Sequence, residues 1–144
     1  MKESRVLKVI LIVLALTLVV FGGWRLVAPI GFYTFSGLEL PGNAGLLSEV
    51  RGAGGIIMIS GLVVALGVFR HAWSRTSVLV AAVVFLSLGL GRLMGIALDG
   101  LPGAEVLQGM AIELVFGVLA LFAFFKYRDG DTYLHTRSHL KAAS

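Results

Sequence analysis

Four long stretches of the chain carry almost no charge, and polar residues gather in the segments between them. The stretches run over about 6–27, 46–69, 77–98 and 106–125, each near the ~20 residues needed to cross a bilayer as a helix. Within them the pattern shows little amphipathic period, as expected of helices that face lipid on one side and protein on the other. Pro29, Pro41 and Pro102 all fall between the stretches, where a missing backbone donor costs least. The pattern predicts an all-α integral membrane protein, an up-down four-helix bundle in one domain over 1–144, ending in a polar tail over 126–144.

Composition agrees with the pattern. Of the 144 residues, 58% are hydrophobic and only 14% charged, with a mean hydropathy of +0.95. Soluble domains carry about 25% charged residues. The first stretch begins behind Lys2, Arg5 and Lys8, as a secretory signal peptide would. Its apolar run is longer than the usual h-region, and Phe21-Gly22-Gly23-Trp24-Arg25 offers no A-x-A-like cleavage site, so it reads as a retained helix.

Charge sets the expected orientation. Lys2, Arg5, Lys8, Arg70, Arg75, Lys126, Arg128, Arg137 and Lys141 lie around the ends and the 70–76 loop. The 29–45 loop and the 99–105 turn hold no Lys or Arg, only Glu39, Asp99 and Glu105. The positive-inside rule places both termini and the 70–76 loop in the cytoplasm. These dispersed charges mark topology and predict no nucleic-acid partner. The absence of cysteine excludes disulfides, a thiol relay and a Cys-ligated metal.

The ionisable residues within or beside the spans are Arg25, Glu49, Arg51, Arg92, Asp99 and Glu113. Such groups are costly in lipid and usually face the bundle interior. Arg92 lies seven residues inside Asp99, about 10 Å at helical rise, and Glu113 eight inside Glu105, about 12 Å. These matching depths on neighbouring antiparallel helices predict an Arg92–Glu113 ion pair. Glycines adjoin the charges: Gly55 follows Arg51, Gly91 and Gly95 bracket Arg92, and Gly109 and Gly117 bracket Glu113. Gly91–Gly95 is a GxxxG match, a helix-packing signal.

Two interpretations follow. In one, the glycines pack helices and the charges neutralise each other. In the other, Glu49, Arg51, Arg92, Asp99 and Glu113 form the polar floor of a pocket in the outer half. Phe32, Tyr33 and Phe35 in the 29–45 loop read as interface anchors, with a pocket lid as the alternative, and Trp24 and Trp73 fit an aromatic belt. Ser60 and Ser87 have no base in reach and should bond backbone carbonyls. His71 reads as interfacial. His135 and His139 are four apart in the tail but lack a third ligand, so no metal site is expected. No P-loop, dinucleotide fingerprint or catalytic triad occurs.

Glu49-Val50-Arg51-Gly52-Ala53-Gly54-Gly55, then Gly91-Arg92 with Asp99-Gly100 and Pro102, then Glu113-Leu114, resemble a bacterial family of four-helix membrane proteins, domain of unknown function 4345. The family pattern has an aromatic where this chain has Gly54 and a glycine where it has Ile56. The architecture is also similar to DoxX/DoxD-like membrane proteins, some of which associate with quinone-linked oxidoreductases, a fold-level analogy only. The resemblance implies a location in the bacterial inner membrane and groups Glu49, Arg51, Arg92, Asp99 and Glu113 in one constellation.

The function these observations favour is a non-enzymatic membrane protein binding a lipid or quinone-like molecule, or a membrane partner protein. The alternatives are a small oligomeric proton-coupled transporter and an accessory subunit of a membrane redox complex. No tightly held cofactor is expected. Membrane lipid is the expected partner, with a homo-oligomer or a second membrane protein as further candidates.

Overall fold

The computed structural model describes residues 4–128, and every regular element among them is helical. The helices are α1 (Arg5–Val27), α2 (Pro29–Phe35), α3 (Ala44–Phe69), α4 (Ser74–Asp99) and α5 (Ala104–Arg128), with a 3₁₀ turn at His71–Trp73. Four segments, built on α1, α3, α4 and α5, are long and apolar enough to cross a membrane. They run alternately up and down as a bundle. Beyond Arg128 the expected tail, with His135 and His139, lies outside the described residues.

Local chemistry sets most boundaries. Ala28 leaves helical geometry because the next residue is proline, and Pro29 then occupies the first turn of α2, where its missing N–H has no helical partner to lose. The Asn43 side chain caps α3, accepting from the Leu46 N–H at 2.7 Å. At the other end of α3, Arg70 is extended and the 3₁₀ turn redirects the chain. Gly100 ends α4 at φ 99°, a left-handed backbone that favours glycine. Residues 29–35, expected as part of a loop, are a helix.

α1 packs most closely on α3, and α5 on α4; α3 joins the two pairs. Glycines permit the first contact. A methyl group at Gly61 would lie 2.8 Å from Leu18 Cβ and from the Val19 nitrogen; at Gly54 it would lie 2.7 Å from the Leu26 nitrogen. An aromatic side chain therefore has no room at Gly54. In the second pair, Leu114 lies over Gly89 and Leu86 over Gly117, an exchange of knobs between antiparallel helices. Two hydroxyls stitch the pairs together: Ser74 Oγ donates to the Gly67 carbonyl at 3.1 Å, and Ser77 Oγ to the Val63 carbonyl at 2.9 Å.

The packed core occupies the end of the bundle where Ser4 and Tyr127 meet, their hydroxyls 3.4 Å apart. Leu7, Leu11, Leu14 and Leu18 recur at helical spacing along α1 and face Val64, Val78, Ala81, Phe85, Ala120 and Ala123. Phe85 and Phe116 meet edge to face at 5.3 Å. Among the described side chains of α5, the buried residues are Gly117, Ala120 and Ala123, all in its C-terminal half. Its N-terminal half borders a cavity instead. Outward faces stay apolar, with Ile56, Phe69 and Leu98 largely exposed, a surface suited to lipid.

Candidate functional site

At the end of the bundle away from Ser4 and Tyr127, a cavity of about 390 Å³ separates α1 from α4 and α5. That volume falls in the range of small-molecule sites. Its apolar wall includes Phe21 from α1, Phe32 and Phe35 from α2, Leu88 from α4, and Val106 and Ile112 from α5. Arg25, Arg92 and Glu113 supply charge, and Glu105 joins them from the first turn of α5. A second cavity of about 310 Å³ opens on the α2–α4 side and shares Arg25, Phe32, Ser36, Leu88 and Arg92 with the first.

Arg92 and Glu113 meet in a forked arrangement. Arg92 Nε lies 2.8 Å from Glu113 Oε2, and Arg92 Nη2 donates to Oε1 at 3.0 Å. Both side chains are largely withdrawn from the surface, 31% exposed for Arg92 and 14% for Glu113. The Nε approach to Oε2 is an ion-pair contact without hydrogen-bond geometry, so that buried oxygen keeps unused acceptor capacity. Gly109 borders the arginine: a methyl group there would sit in ordinary contact, 3.9 Å from Arg92 Nη1.

Arg25 is the residue that sequence reasoning left out of the cluster. Its Nη2 donates to Tyr33 Oη at 2.7 Å, while its Nε is buried without a hydrogen-bond partner. The tether exists because α2 folds back along the end of α1. Phe32 lies 5.7 Å from Trp24 and 6.3 Å from Phe21, and Phe35 lies 5.2 Å from Trp24. Phe32 and Phe35 thus close one end of the cavity, and Tyr33 holds Arg25 there. The available signal was Arg25 closing an uncharged run, with Pro29 turning Tyr33 back toward it.

The expected five-residue constellation does not assemble as a whole. Glu49 and Arg51 are exposed and do not line the cavity. Between them Val50 is buried, and it shares with Gly54 the α3 stripe that meets α1, so its sequence neighbours turn away. Asp99, the last residue of α4, is also exposed and outside the cavity. It shares Arg92's face in projection, but α4 extends past the packed bundle there, with Leu98 76% exposed.

The expected packing glycines divide in the same way. Gly117 packs closely on Leu86, and Gly109 borders the Arg92 guanidinium. A methyl group at Gly55 would only touch Leu26, at 4.0 Å, and at Gly91 or Gly95 it would meet nothing within 4 Å. The close contacts belong to Gly22, Gly54, Gly61, Gly67 and Gly89. Ser60 Oγ bonds the Ile56 carbonyl at 2.8 Å. Among the described residues, no group of three His, Asp or Glu side chains could hold a metal ion.

Fold and site together define a multi-pass membrane protein, a four-helix bundle with a charged cavity at one end. The model of a family described as Domain of unknown function (DUF4345) matches residues 6–124, and the chain belongs to that family. No curated protein and no solved structure matches the chain significantly.

Proposed function

We propose that this protein is a non-enzymatic, membrane-embedded binding protein that holds an amphipathic small molecule, a lipid or a quinone-like compound, in the cavity at the α2 end of the bundle. The observation that carries this reading is the cavity itself. Helices packed tightly through glycine elsewhere leave about 390 Å³ open where Arg25, Arg92 and Glu113 converge. Apolar walls suit a chain or ring, and the charges suit a polar head.

The distribution of Lys and Arg supports an orientation with the helix ends at Arg5 and Lys126 on the cytoplasmic side of the bacterial inner membrane and the cavity in the outer half. A ligand would then enter from the outer leaflet or the periplasm.

Native mass spectrometry of protein extracted in a mild non-ionic detergent, without delipidation, tests the proposal. The wild type should retain a bound small molecule. Gly109→Leu should displace it, because the new side chain grows into the cavity from a position with room for its first carbon. Protein free of any adduct, or an adduct retained equally by Gly109→Leu, would refute it.

A further inference from the structure

Resting on that binding reading, the charge balance of the cavity specifies the ligand's head. Two guanidinium groups, Arg25 and Arg92, face a single withdrawn carboxylate, Glu113. Arg92 spends its fork on Glu113. Among the described residues, Arg25 has only the neutral Tyr33 hydroxyl as a hydrogen-bond partner, and its buried Nε–H has none. Glu105 is exposed at the rim; its Oε2 lies against Gly37 and Gly103, and no ion pair joins it to either arginine. The floor therefore carries one positive charge in excess, together with a buried donor that lacks an acceptor. Such a group is costly unless an acceptor reaches it.

The two cavities give the shape. The larger has mostly apolar walls, formed by Phe21, Val106, Ile112 and their neighbours. The smaller runs beside Tyr33, Ser36 and Ser87, and both are bordered by Arg25 and Arg92. We infer that the site takes a single-chain amphipath with an anionic head, a fatty carboxylate or a monoacyl phosphate. The tail lies in the larger cavity, and the head accepts from the Arg25 Nε–H between the two. An uncharged quinone or a fatty alcohol fits the walls but leaves the excess charge uncompensated.

Native mass spectrometry titrations in a non-ionic polyoxyethylene detergent would compare laurate, lauryl alcohol and 1-lauroyl lysophosphatidate on the full chain. An anionic head should bind at least about tenfold more tightly than the alcohol, as charge-assisted hydrogen bonds do. Whichever anion binds better identifies the carboxylate or the phosphate as the preferred head. Arg25→Gln should remove the preference for the anion. Glu113→Gln, which raises the excess charge, should increase it. The exposed variant Arg51→Gln should leave it unchanged, and circular dichroism verifies folding in each case. Should Arg25→Gln fail to fold, the Glu113→Gln increase is an independent reading of the same charge balance. Equal binding of laurate and the alcohol, or a preference that survives Arg25→Gln or falls in Glu113→Gln, would overturn the anionic head while leaving cavity binding intact. Binding of none of the three probes would overturn the binding reading itself.

Discussion

Removing one member of the Arg92–Glu113 pair should cost far more than removing both. The two contacts, 2.8 and 3.0 Å, place the charge centres about 4 Å apart, worth about 4 kcal/mol at an effective dielectric of 20. Arg92 is nearly one-third exposed, and solvent screening lowers that figure. We therefore expect a coupling energy of about 2 kcal/mol. Glu113→Leu alone leaves a guanidinium facing an apolar wall and should destabilise by about 2–3 kcal/mol, toward the low end for a broken buried pair. Arg92→Met alone should cost a similar amount. The double variant Arg92→Met/Glu113→Leu fills the same space with apolar atoms and should come within about 1 kcal/mol of wild type. The assay is a double-mutant cycle, with unfolding by sodium dodecyl sulfate in mixed micelles followed by tryptophan fluorescence. A coupling energy below about 0.5 kcal/mol would refute the reasoning, because the forked geometry would then contribute no more than an ordinary surface pair. The same double variant removes one charge of each sign and leaves Arg25 in place, so it should keep the preference for an anionic ligand, separating the pair's role in folding from Arg25's role in the cavity.

Three further outcomes follow from the packing and the boundaries. Gly61→Ala pushes a methyl group to 2.8 Å from Leu18 and should destabilise by about 1–2 kcal/mol in the same assay, whereas Gly91→Ala meets open space and should be neutral or stabilising; equal effects would contradict the close α1–α3 approach. Asn43→Ala removes the cap on α3 and should cost about 1 kcal/mol, measured as a lower unfolding midpoint. The chain has no cysteine, so Gly42→Cys and Ala72→Cys can be labelled singly in intact cells. An impermeant maleimide should reach position 42 only, and labelling of position 72 instead would reverse the proposed orientation.

Arg25 shows why part of the site was hard to read in the sequence. Depth along a helix follows from counting residues, so Arg92 and Glu113 could be matched across a short turn. Whether Arg25 joined them depended on α2 folding back to bring Tyr33 within 2.7 Å, a consequence of how one short helix packs against another. Glu49 and Arg51 failed for the complementary reason. The resemblance grouped them with Arg92, but Val50 and Gly54 present the α3 face that meets α1, and residues on either side of that face point elsewhere. Of the glycines, spacing singled out Gly55, Gly91, Gly95, Gly109 and Gly117; Gly117 packs closely on Leu86, whereas the other close contacts fell to Gly22, Gly54, Gly61, Gly67 and Gly89.

The sequence by itself determined that this is a multi-pass membrane protein with four helices long and apolar enough to span, and about where those four stop. Apolar length, proline and charge placement are local quantities, and each acts on the segment that carries it. Only the tertiary structure decided which faces meet. An all-round apolar helix buries equally well in several rotations, so hydropathy cannot choose among them. Close approach through Gly22, Gly54 and Gly61 in one pair, and through Gly89 and Gly117 in the other, selects the rotations. Those rotations in turn leave the cavity between the pairs, with Arg25, Arg92 and Glu113 turned into it and Glu49, Arg51 and Asp99 left outside.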